Sequence, residues 1–503
     1  MNARTTRMIG AGLGALAVIP VTMALRNSHP DESKPNVIFI LLDDYGYSDS
    51  GCYGSTFYET PNIDRLASAG LRFTNAYAAC PVSSPTRAAI MTGRYPVRTG
   101  ITDWIPGRQA TNSGKPGDKL ISLPFKLNLD LEEVTIAEIL RSNGYSTMIS
   151  GKWHLGEDSL HWPESQGFMV NRGGYSAGAP VRNNKSNGYF SPYGNPRLKD
   201  GKKGEYLTDR QTDEAIKFIE SQGEKPFFLY LSYYAVHNPM QAKEDHLKYF
   251  TGKAARYGLD TIQAFSRERD WIRKDMSDNF KERIIQSNPV YAAMIYSVDE
   301  NIGRLMRRLS DLGLDRNTVI IFTSDNGGLS TSEGSPTCNP PLRAGKGWLY
   351  EGGIRVPLII KYPGRVKPGS VVNTPVSSID FLPTIAAITR TGTGNLDLDG
   401  IDISELFKRD RLPERPLFWH YPHYSNQGVE PGSAIRLGRY KLIDNFEQER
   451  VELYDLETDI SEAHDISSEN PAERDKLLEM LTVWRDKNKA RMMVPNPAWN
   501  GRK

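Results

Sequence analysis

Three apolar runs along the chain each predict a strand that is buried on both faces of a parallel sheet. The runs are NVIFILL at residues 36–42, KPFFLYL at residues 225–231 and TVIIF at residues 318–322. Unbroken apolar runs of this length are typical of strands that helices cover on both sides. Before the third run, apolar residues recur at spacings of three and four up to a glycine, which predicts a helix with one apolar face. These positions are Ile295, Val298, Ile302, Leu305, Leu309, Leu312 and Gly313.

Helix-like segments alternating with buried strands predict an α/β fold, a large doubly wound and mostly parallel sheet flanked by helices. The pattern changes after residue 412. Residues 433–443 and 451–456 read as short strands of an antiparallel meander, and a final helix begins at Asn470 and Pro471. We therefore predict a smaller C-terminal α+β subdomain with an antiparallel sheet.

The chain accordingly divides into a leader at residues 1–30, a main domain at residues 31–412 and the C-terminal subdomain at residues 413–503. Within the main domain, the charged stretch at residues 241–287 predicts a helical insertion with a solvated face.

The leader has the layout of a signal peptide. Arg4 and Arg7 precede an uncharged run at residues 8–25, and a polar stretch follows it. The alternative is a membrane anchor, but three glycines and a proline make this run a poor spanning helix. We expect a periplasmic or secreted protein, with no stable membrane insertion once the leader is removed. Cys52 and Cys80 are then either paired or free.

The composition excludes several classes of protein. Of 503 residues, 39% are hydrophobic and 24% are charged, which is typical of a globular chain and not of a disordered one. A net charge of +2 lacks the basic excess of a nucleic-acid binder. Three cysteines without a C-x-x-C pair support neither a disulfide framework nor a zinc ribbon.

Polar side chains follow two of the predicted strands. Asp43 and Asp44 end the first run, and Asp325 and Asn326 lie just beyond the third. Because ligands bind at the carboxyl ends of parallel strands, we expect these four side chains to converge. Their oxygen atoms suit a hard cation, Ca²⁺ or Mg²⁺. The alternative is that each pair merely caps the helix after its strand.

The segment CPVSSPTRAAIMTG at residues 80–93 predicts a helix start. Ser84 is a good N-cap, Pro85 a good first helical residue and Gly93 a good stop. Ser83 then lies at a helix N-terminus, where backbone N–H groups favour anions, and Arg87 lies one turn away. Taken alone, these residues equally fit a simple capping motif.

The same residues resemble the signature of the formylglycine-dependent sulfatases, [C/S]-x-P-x-R, through Ser83, Pro85 and Arg87. Further motifs of that family occur in the correct order. They are AAIMTGR (88–94), GKWHLG (151–156), LLDD (41–44), VHNP (236–239), SDNGG (324–328), GKGWLYEGGIRVP (345–357) and ELYDLE (452–457). The resemblance covers residues 36–460 and implies the alkaline-phosphatase-like fold and hydrolysis of sulfate esters.

The resemblance also implies a mechanism. Ser83 is oxidised to formylglycine, whose hydrate attacks the sulfur of a sulfate ester and forms a covalent sulfate intermediate. The second hydroxyl of the hydrate then expels sulfate. Asp43, Asp44, Asp325 and Asn326, together with the modified Ser83, resemble the ligands of one Ca²⁺ per chain, with Mg²⁺ as the less favoured ion.

Five further residues receive roles from the resemblance. Lys152 and Lys346 match the lysines that clamp the sulfate group. His154 resembles the residue that accepts the proton of the hydrate, and His237 the residue that protonates the leaving oxygen. Arg87 is expected to orient the hydrate.

The modified position is serine, which implies maturation by a radical-type enzyme that accepts serine, and a bacterial origin. Two alternatives remain open. A phosphoric ester hydrolase of the same superfamily would need two zinc ions, but position 326 is asparagine and no histidine lies between His246 and His420. A sulfated-glycan binding protein without turnover would leave Ser83 unmodified.

The resemblance implies a sulfated carbohydrate as substrate, with a lean towards galactose or N-acetylgalactosamine esters. Specificity lies in loops that vary within a fold. Asp103, Trp104 and Arg172 are candidate substrate contacts, and His420 and His423 are weaker ones.

Overall fold

A nine-stranded sheet lies at the centre of the protein, and all three predicted strands are neighbours in it. In the computed structural model, Asn36–Leu42 pairs in parallel with Thr318–Ser324 on one side and with Phe227–Ser232 on the other. All three strands are buried along their whole length. The predicted α/β class with a mostly parallel sheet is confirmed.

The structure describes residue 1 and residues 34–109, 117–268, 280–409, 411–428 and 430–499. The predicted leader lies outside the described residues. Residues 34–503 form one compact unit, and in its described part no helix combines the length and the apolar character needed to cross a membrane.

The strands of the described residues are, in chain order, β1 (Asn36–Leu42), β2 (Leu71–Tyr77), β3 (Leu120–Ile121), β4 (Ser146–Gly151), β5 (Val170–Arg172), β6 (Arg182–Asn183), β7 (Ser186–Asn187), β8 (Phe227–Ser232), β9 (Phe265–Ser266), β10 (Glu282–Arg283), β11 (Thr318–Ser324), β12 (Arg355–Lys361), β13 (Ser370–Val372), β14 (Val376–Ser377), β15 (Leu417–Tyr421), β16 (Gly432–Leu437), β17 (Tyr440–Asn445), β18 (Arg450–Asp455) and β19 (Val494–Pro495). The large sheet has the order β13-β2-β12-β11-β1-β8-β4-β5, and β14 pairs with β2. Within it, β12 is antiparallel to both of its neighbours, and the other pairs are parallel.

The helices of the described residues are α1 (Pro61–Ser68), α2 (Ser83–Thr92), α3 (Pro96–Thr99), α4 (Ile136–Ser142), α5 (Leu207–Glu220), α6 (Glu244–Arg256), α7 (Pro289–Asp311), α8 (Glu351–Ile354), α9 (Phe381–Thr389) and α10 (Pro471–Lys487). Five of the six residues of the predicted apolar face of α7 are buried, whereas Leu312 is the C-cap residue and is exposed. Short 3-10 turns complete the connections.

Helices cover both faces of the large sheet. Successive side chains of β1 point to opposite faces, so they contribute to two separate apolar clusters. Ile38, Ile40 and Leu42 join one apolar cluster, which contains the buried face of α7. Val37 and Phe39 join the second cluster, which contains residues of α2, α4 and α9. Each large side chain buried in this way stabilises the fold by about 1.5–3 kcal/mol.

The C-terminal sheet has four antiparallel strands in the order β15-β16-β17-β18. The sequence pattern indicated the last three, with a turn at Gly438, but missed β15. The final helix is capped as its sequence predicts, since the Asn470 side chain accepts a hydrogen bond from the Glu473 N–H. Trp484 of this helix stacks on Phe418 of β15 at 4.7 Å.

The predicted helical insertion is only partly helical. Helix α6 covers residues 244–256, and the two-stranded ladder of β9 and β10 follows it. Residues 269–279 of this stretch lie outside the described residues.

A buried ion cluster joins the two sheets. Lys441 of β17 binds Glu351 of α8 at 3.0 Å and Glu462 at 2.8 Å, and Arg355 of β12 binds the same Glu351 at 2.5 Å. Lys441 is fully buried. The cluster therefore connects the C-terminal strands to the end of the large sheet.

We predict that Lys441→Ala destabilises the protein strongly, because it leaves two carboxylates buried without their shared cation. The expected loss of unfolding free energy is about 3–5 kcal/mol, measured by urea denaturation followed by circular dichroism. Lys487→Ala, in the exposed last turn of α10, is the control. Equal midpoints for both variants would contradict the role of the cluster.

Candidate active site at the carboxyl edge of the large sheet

The register between β1 and β11 brings the predicted polar residues together. Leu42 pairs with Ser324, so Asp43 and Asp325 follow at the same edge of the sheet. The Asp44 N–H donates a hydrogen bond to Asp325 Oδ1 at 3.2 Å. All the predicted oxygen-bearing side chains therefore lie within one buried cluster, although 281 positions separate Asp44 from Asp325.

Ser83 lies in the middle of these oxygen atoms. Its hydroxyl Oγ is 3.3 Å from Asp43 Oδ1 and 3.4 Å from Asn326 Oδ1. The Asn326 amide in turn donates to Asp44 Oδ1 at 2.9 Å. Carboxylate, amide and hydroxyl oxygens are the donors that Ca²⁺ prefers, so this donor set fits such an ion. His237 also brings a ring nitrogen within 4.8 Å of ligand oxygens on Asp43 and Asp44.

Helix α2 presents Ser83 at its N-terminus. The helix begins at Ser83 itself with Val82 as N-cap, two residues earlier than the predicted Ser84 cap and Pro85 start. Ser84 Oγ instead accepts a hydrogen bond from the Ile105 N–H, because the backbone of that loop needs a partner. The predicted stop at Gly93 is confirmed by its left-handed φ of 68°.

Arg87 lies one turn along α2 and forms an ion pair with Asp325. Its Nε and Nη2 contact Asp325 Oδ2 at 2.9 and 2.7 Å. Its Nη1 donates to Ser232 Oγ at 2.6 Å and to the Lys152 carbonyl at 3.2 Å. Arg87 thus joins the carboxyl ends of three strands and orients Asp325.

Two buried lysines flank Ser83. Lys152 Nζ is 2.8 Å from Asp43 Oδ2 and 3.2 Å from Ser83 Oγ. Lys346 Nζ is 2.9 Å from Asp44 Oδ2. Together with Arg87 they balance the charges of the three aspartates, so a bound divalent cation would leave the site net positive for an anionic substrate.

Burial and ion pairing set the protonation of this cluster. Burial raises the pKa of the Asp43 carboxyl, and the nearby Lys152 ammonium opposes that rise. Burial also disfavours the charged Asp44, but Lys346 and His237 outweigh it and hold its pKa well below the ordinary value. Burial disfavours the charged Lys346 as well, but Asp44 and then Glu333 raise its pKa.

The two predicted catalytic histidines line the same cavity as Ser83. The His154 Nε2 contacts the Ile105 carbonyl, so Nδ1 is left as the free acceptor. Burial, with the charge of Lys152, lowers the pKa of His154 well below its ordinary value, so the ring is neutral at pH 7. His237 Nδ1 contacts the Asn238 carbonyl at 2.9 Å, and its Nε2 lies 3.2 Å from Lys346 Nζ.

Ser83, the two lysines and the two histidines line a cavity with a volume of 460 Å³. The three aspartates, Asn326 and Arg87 are not among its lining residues. The cavity lining also includes side chains that sequence reasoning missed: Glu157, Ser176, Glu333, Asn426 and Gln427. They belong to loops far apart in the sequence and match none of the motifs. Gly178 is the one residue of this lining whose type has a local reason. A Cβ atom at this position would lie 2.5 Å from the His154 ring.

Of the predicted substrate contacts, the structure brings only Trp104 to the cavity. Arg172 is exposed and binds Glu214 at 3.2 Å. Asp103 is buried, accepts a hydrogen bond from the Tyr421 hydroxyl at 2.8 Å and has a pKa raised by burial to about 7. Neither residue lines the cavity.

The two weaker candidates do not line the cavity either. His420 binds Ser433 Oγ and the Arg491 carbonyl, and His423 binds Thr102 Oγ1. Cys52 and Cys80 form no disulfide bond.

Comparison with known proteins assigns the family. The Sulfatase family model matches residues 35–391, and a model described as N-sulphoglucosamine sulphohydrolase, C-terminal, matches residues 344–486. The first match spans more than half of the chain. The chain therefore belongs to the sulfatase family, within the alkaline-phosphatase-like superfamily, and is a sulfuric ester hydrolase.

Particular relatives agree with this assignment. A sulfatase of Formosa agariphila is 31% identical over 95% of this chain and 93% of its own length. The human N-acetylgalactosamine-6-sulfatase is 32% identical over 77% of this chain and 68% of its own length. The crystal structure of Ps i-CgsB in complex with k-i-k-neocarrahexaose superposes with a TM-score of 0.73, at 31% identity, over 93% of this chain and 95% of that one.

We predict that Lys346→Ala lowers kcat by about two orders of magnitude or more, because a buried cation beside Asp44 and His237 is removed from the reacting group. Release of 4-nitrophenol from 4-nitrophenyl sulfate measures the rate. Lys217→Ala, at an exposed position of α5, is the matched control. A rate for Lys346→Ala near that of the control would contradict a role for Lys346 in the reaction.

Proposed function

We propose that this sulfatase hydrolyses sulfate esters of carbohydrates, with a formylglycine derived from Ser83 as nucleophile and Ca²⁺ as cofactor. The observation that carries the proposal is the position of Ser83 Oγ. It lies at the N-terminus of α2, among the oxygens of Asp43 and Asn326 and 3.2 Å from Lys152 Nζ, on the floor of the cavity.

The reaction begins with a change to Ser83 itself. A radical-type maturation enzyme removes two hydrogens from the side chain, and water adds to the resulting aldehyde to give a geminal diol. Asp43, Asp44, Asp325 and Asn326 would hold Ca²⁺, which supplies Lewis acidity to the sulfate group when bound. The backbone N–H groups at the start of α2 further favour negative charge at residue 83.

Proton transfers in the proposed reaction fall to the two histidines. One diol hydroxyl attacks sulfur while the bond from sulfur to the leaving alcohol oxygen breaks. The free Nδ1 of the neutral His154 accepts a proton from the diol. His237 Nε2, beside Lys346 Nζ, delivers a proton to the leaving oxygen. Loss of the second hydroxyl proton then re-forms the aldehyde and expels sulfate.

Two relatives support a carbohydrate as substrate. One is the human N-acetylgalactosamine-6-sulfatase, and the other is the solved structure that contains a neocarrahexaose. The cavity supports the same class, because its rim carries carboxylate and amide side chains that can bind sugar hydroxyls. We therefore favour sulfated galactose or N-acetylgalactosamine residues. The signal-peptide layout of residues 1–30 supports export to the periplasm or the medium.

Mass spectrometry of the peptide that contains Ser83 tests the nucleophile. Oxidation to formylglycine lowers the peptide mass by about two mass units, and Ser83→Ala is expected to abolish turnover while the protein stays folded. Ser84→Ala, at the neighbouring helix position, is the control and should retain the modification at Ser83. A wild-type protein that hydrolyses sulfate esters with an unmodified Ser83 would contradict the mechanism.

Removal of calcium tests the cofactor. Chelation is expected to abolish activity, and Ca²⁺ at 100 times its Kd should raise the unfolding free energy by about 2.7 kcal/mol through mass action. Thermal unfolding with and without Ca²⁺ measures this effect. The increase should be much smaller in Asp44→Asn, while the exposed control Asp130→Asn should respond as the wild type does. Equal responses of both variants would exclude the proposed site.

A further inference from the structure

Glu333 contributes a carboxylate to the lining of the cavity that contains Ser83, His237 and Lys346. The floor of the cavity carries the buried cations Lys152 and Lys346, whereas Glu333 is exposed and lines the same cavity. The cavity therefore has a cationic floor for one sulfate group and an acidic element nearer the solvent.

The side chain of Glu333 is held in one orientation. Its Oε1 accepts hydrogen bonds from Gln427 Nε2 at 2.8 Å and from Asn426 Nδ2. Within the part of the chain that the structure describes, Oε2 has no hydrogen-bond donor. One carboxylate oxygen is thus fixed by the protein, and the other is available to a ligand.

The backbone around Glu333 is strained. Ser332, Glu333 and Ser335 have φ values of 62°, 48° and 43°, which side-chain-bearing residues rarely adopt. Residues held in this conformation concentrate at ligand sites. The surrounding protein maintains the conformation, because Arg283 Nε donates to the Ser335 carbonyl at 2.6 Å.

Two contacts tie Glu333 to the proposed catalytic residues. Asn238, the neighbour of His237, donates its side-chain amide to the Glu333 carbonyl at 3.0 Å. Gln427, which binds the Glu333 carboxylate, packs closely on Gly347, the neighbour of Lys346. A Cβ atom at Gly347 would lie 3.0 Å from both Cβ and Oε1 of Gln427. The carboxylate is therefore fixed relative to the groups that face the leaving oxygen.

We propose that Glu333 is a specificity-determining residue that binds the sugar bearing the scissile sulfate. Its Oε2 accepts a hydrogen bond from a free hydroxyl or amide N–H next to the scissile ester, and its charge repels a second sulfate at that position. The enzyme accordingly prefers a monosulfated sugar to the same sugar with two sulfates. This inference rests on the proposed carbohydrate function.

The experiment compares kcat/KM on sugars that differ by one sulfate. N-acetylgalactosamine 6-sulfate, the 4-sulfate and the 4,6-disulfate are the test substrates, and 4-nitrophenyl sulfate, which has no hydroxyl, reports basal activity. Sulfate release is measured by ion chromatography. Glu333→Gln keeps the length of the side chain but removes its charge, and Glu333→Ala removes the acceptor. Glu224→Gln, an exposed charge outside the cavity lining, is the matched control.

We expect Glu333→Ala to lower kcat/KM on the preferred monosulfated sugar by about 10- to 100-fold, the worth of a hydrogen bond to a charged group. Glu333→Gln should reduce the preference for that sugar over the disulfate by about tenfold or more. Both variants should lose much less activity on 4-nitrophenyl sulfate than on the preferred sugar, and both should unfold at the wild-type temperature. The control Glu224→Gln should keep the wild-type rate on every substrate.

Other outcomes overturn the inference in separable ways. An unchanged preference in Glu333→Gln, or a wild-type preference for the disulfate, removes Glu333 from recognition and leaves the carbohydrate function intact. An equal loss on all substrates assigns Glu333 a structural role. Hydrolysis of 4-nitrophenyl sulfate without hydrolysis of any sugar sulfate by the wild type overturns the carbohydrate function and this inference together.

Discussion

The charge balance of one buried cluster governs the arrangement of the active site. Asp43, Asp44 and Asp325 are buried at the end of two neighbouring strands, and each has its own cation within 3 Å. Without Arg87, Lys152 and Lys346 the three carboxylates would have to lose their charge or leave the interior. In the proposed reaction a divalent ion would bind the aspartates and the lysines would contact the sulfate group, so the same side chains would serve both folding and chemistry.

Much of this site could be predicted because its acidic residues directly follow strands of a parallel sheet. A parallel sheet brings the carboxyl ends of its strands to one edge, so a polar pair after each apolar run suffices to place Asp43 and Asp325 together. Ser83 was predicted on a different basis, the resemblance of Ser83, Pro85 and Arg87 to the [C/S]-x-P-x-R signature, because the capping pattern alone indicates only a helix start. The helix start itself was placed two residues late, since Ser84 binds a loop instead of capping the helix.

The rest of the site depends on loops whose conformation no local pattern encodes. Arg172 is the last residue of the edge strand β5, yet its pairing with Glu214 keeps it at the surface. Glu333 lies in a segment without periodicity, and its position results from contacts with Asn238 and with Asn426 and Gln427 of the C-terminal region. The strand β15 was missed for a similar reason, because its five residues are too few to show alternation.

The residue proposed to recognise the sugar is held in place by neighbours of the residues proposed to carry out the reaction. The loop that carries Glu333 binds Asn238, the neighbour of His237, and also binds Gln427, which packs on Gly347 beside Lys346. A change in that loop can therefore shift the groups that are proposed to face the leaving oxygen. The floor of the cavity is less free to vary, because moving any one charge leaves a buried partner unpaired. Substitutions in the loop of Glu333 can therefore change the range of substrates, while the buried charged residues that carry out the attack on sulfur stay the same.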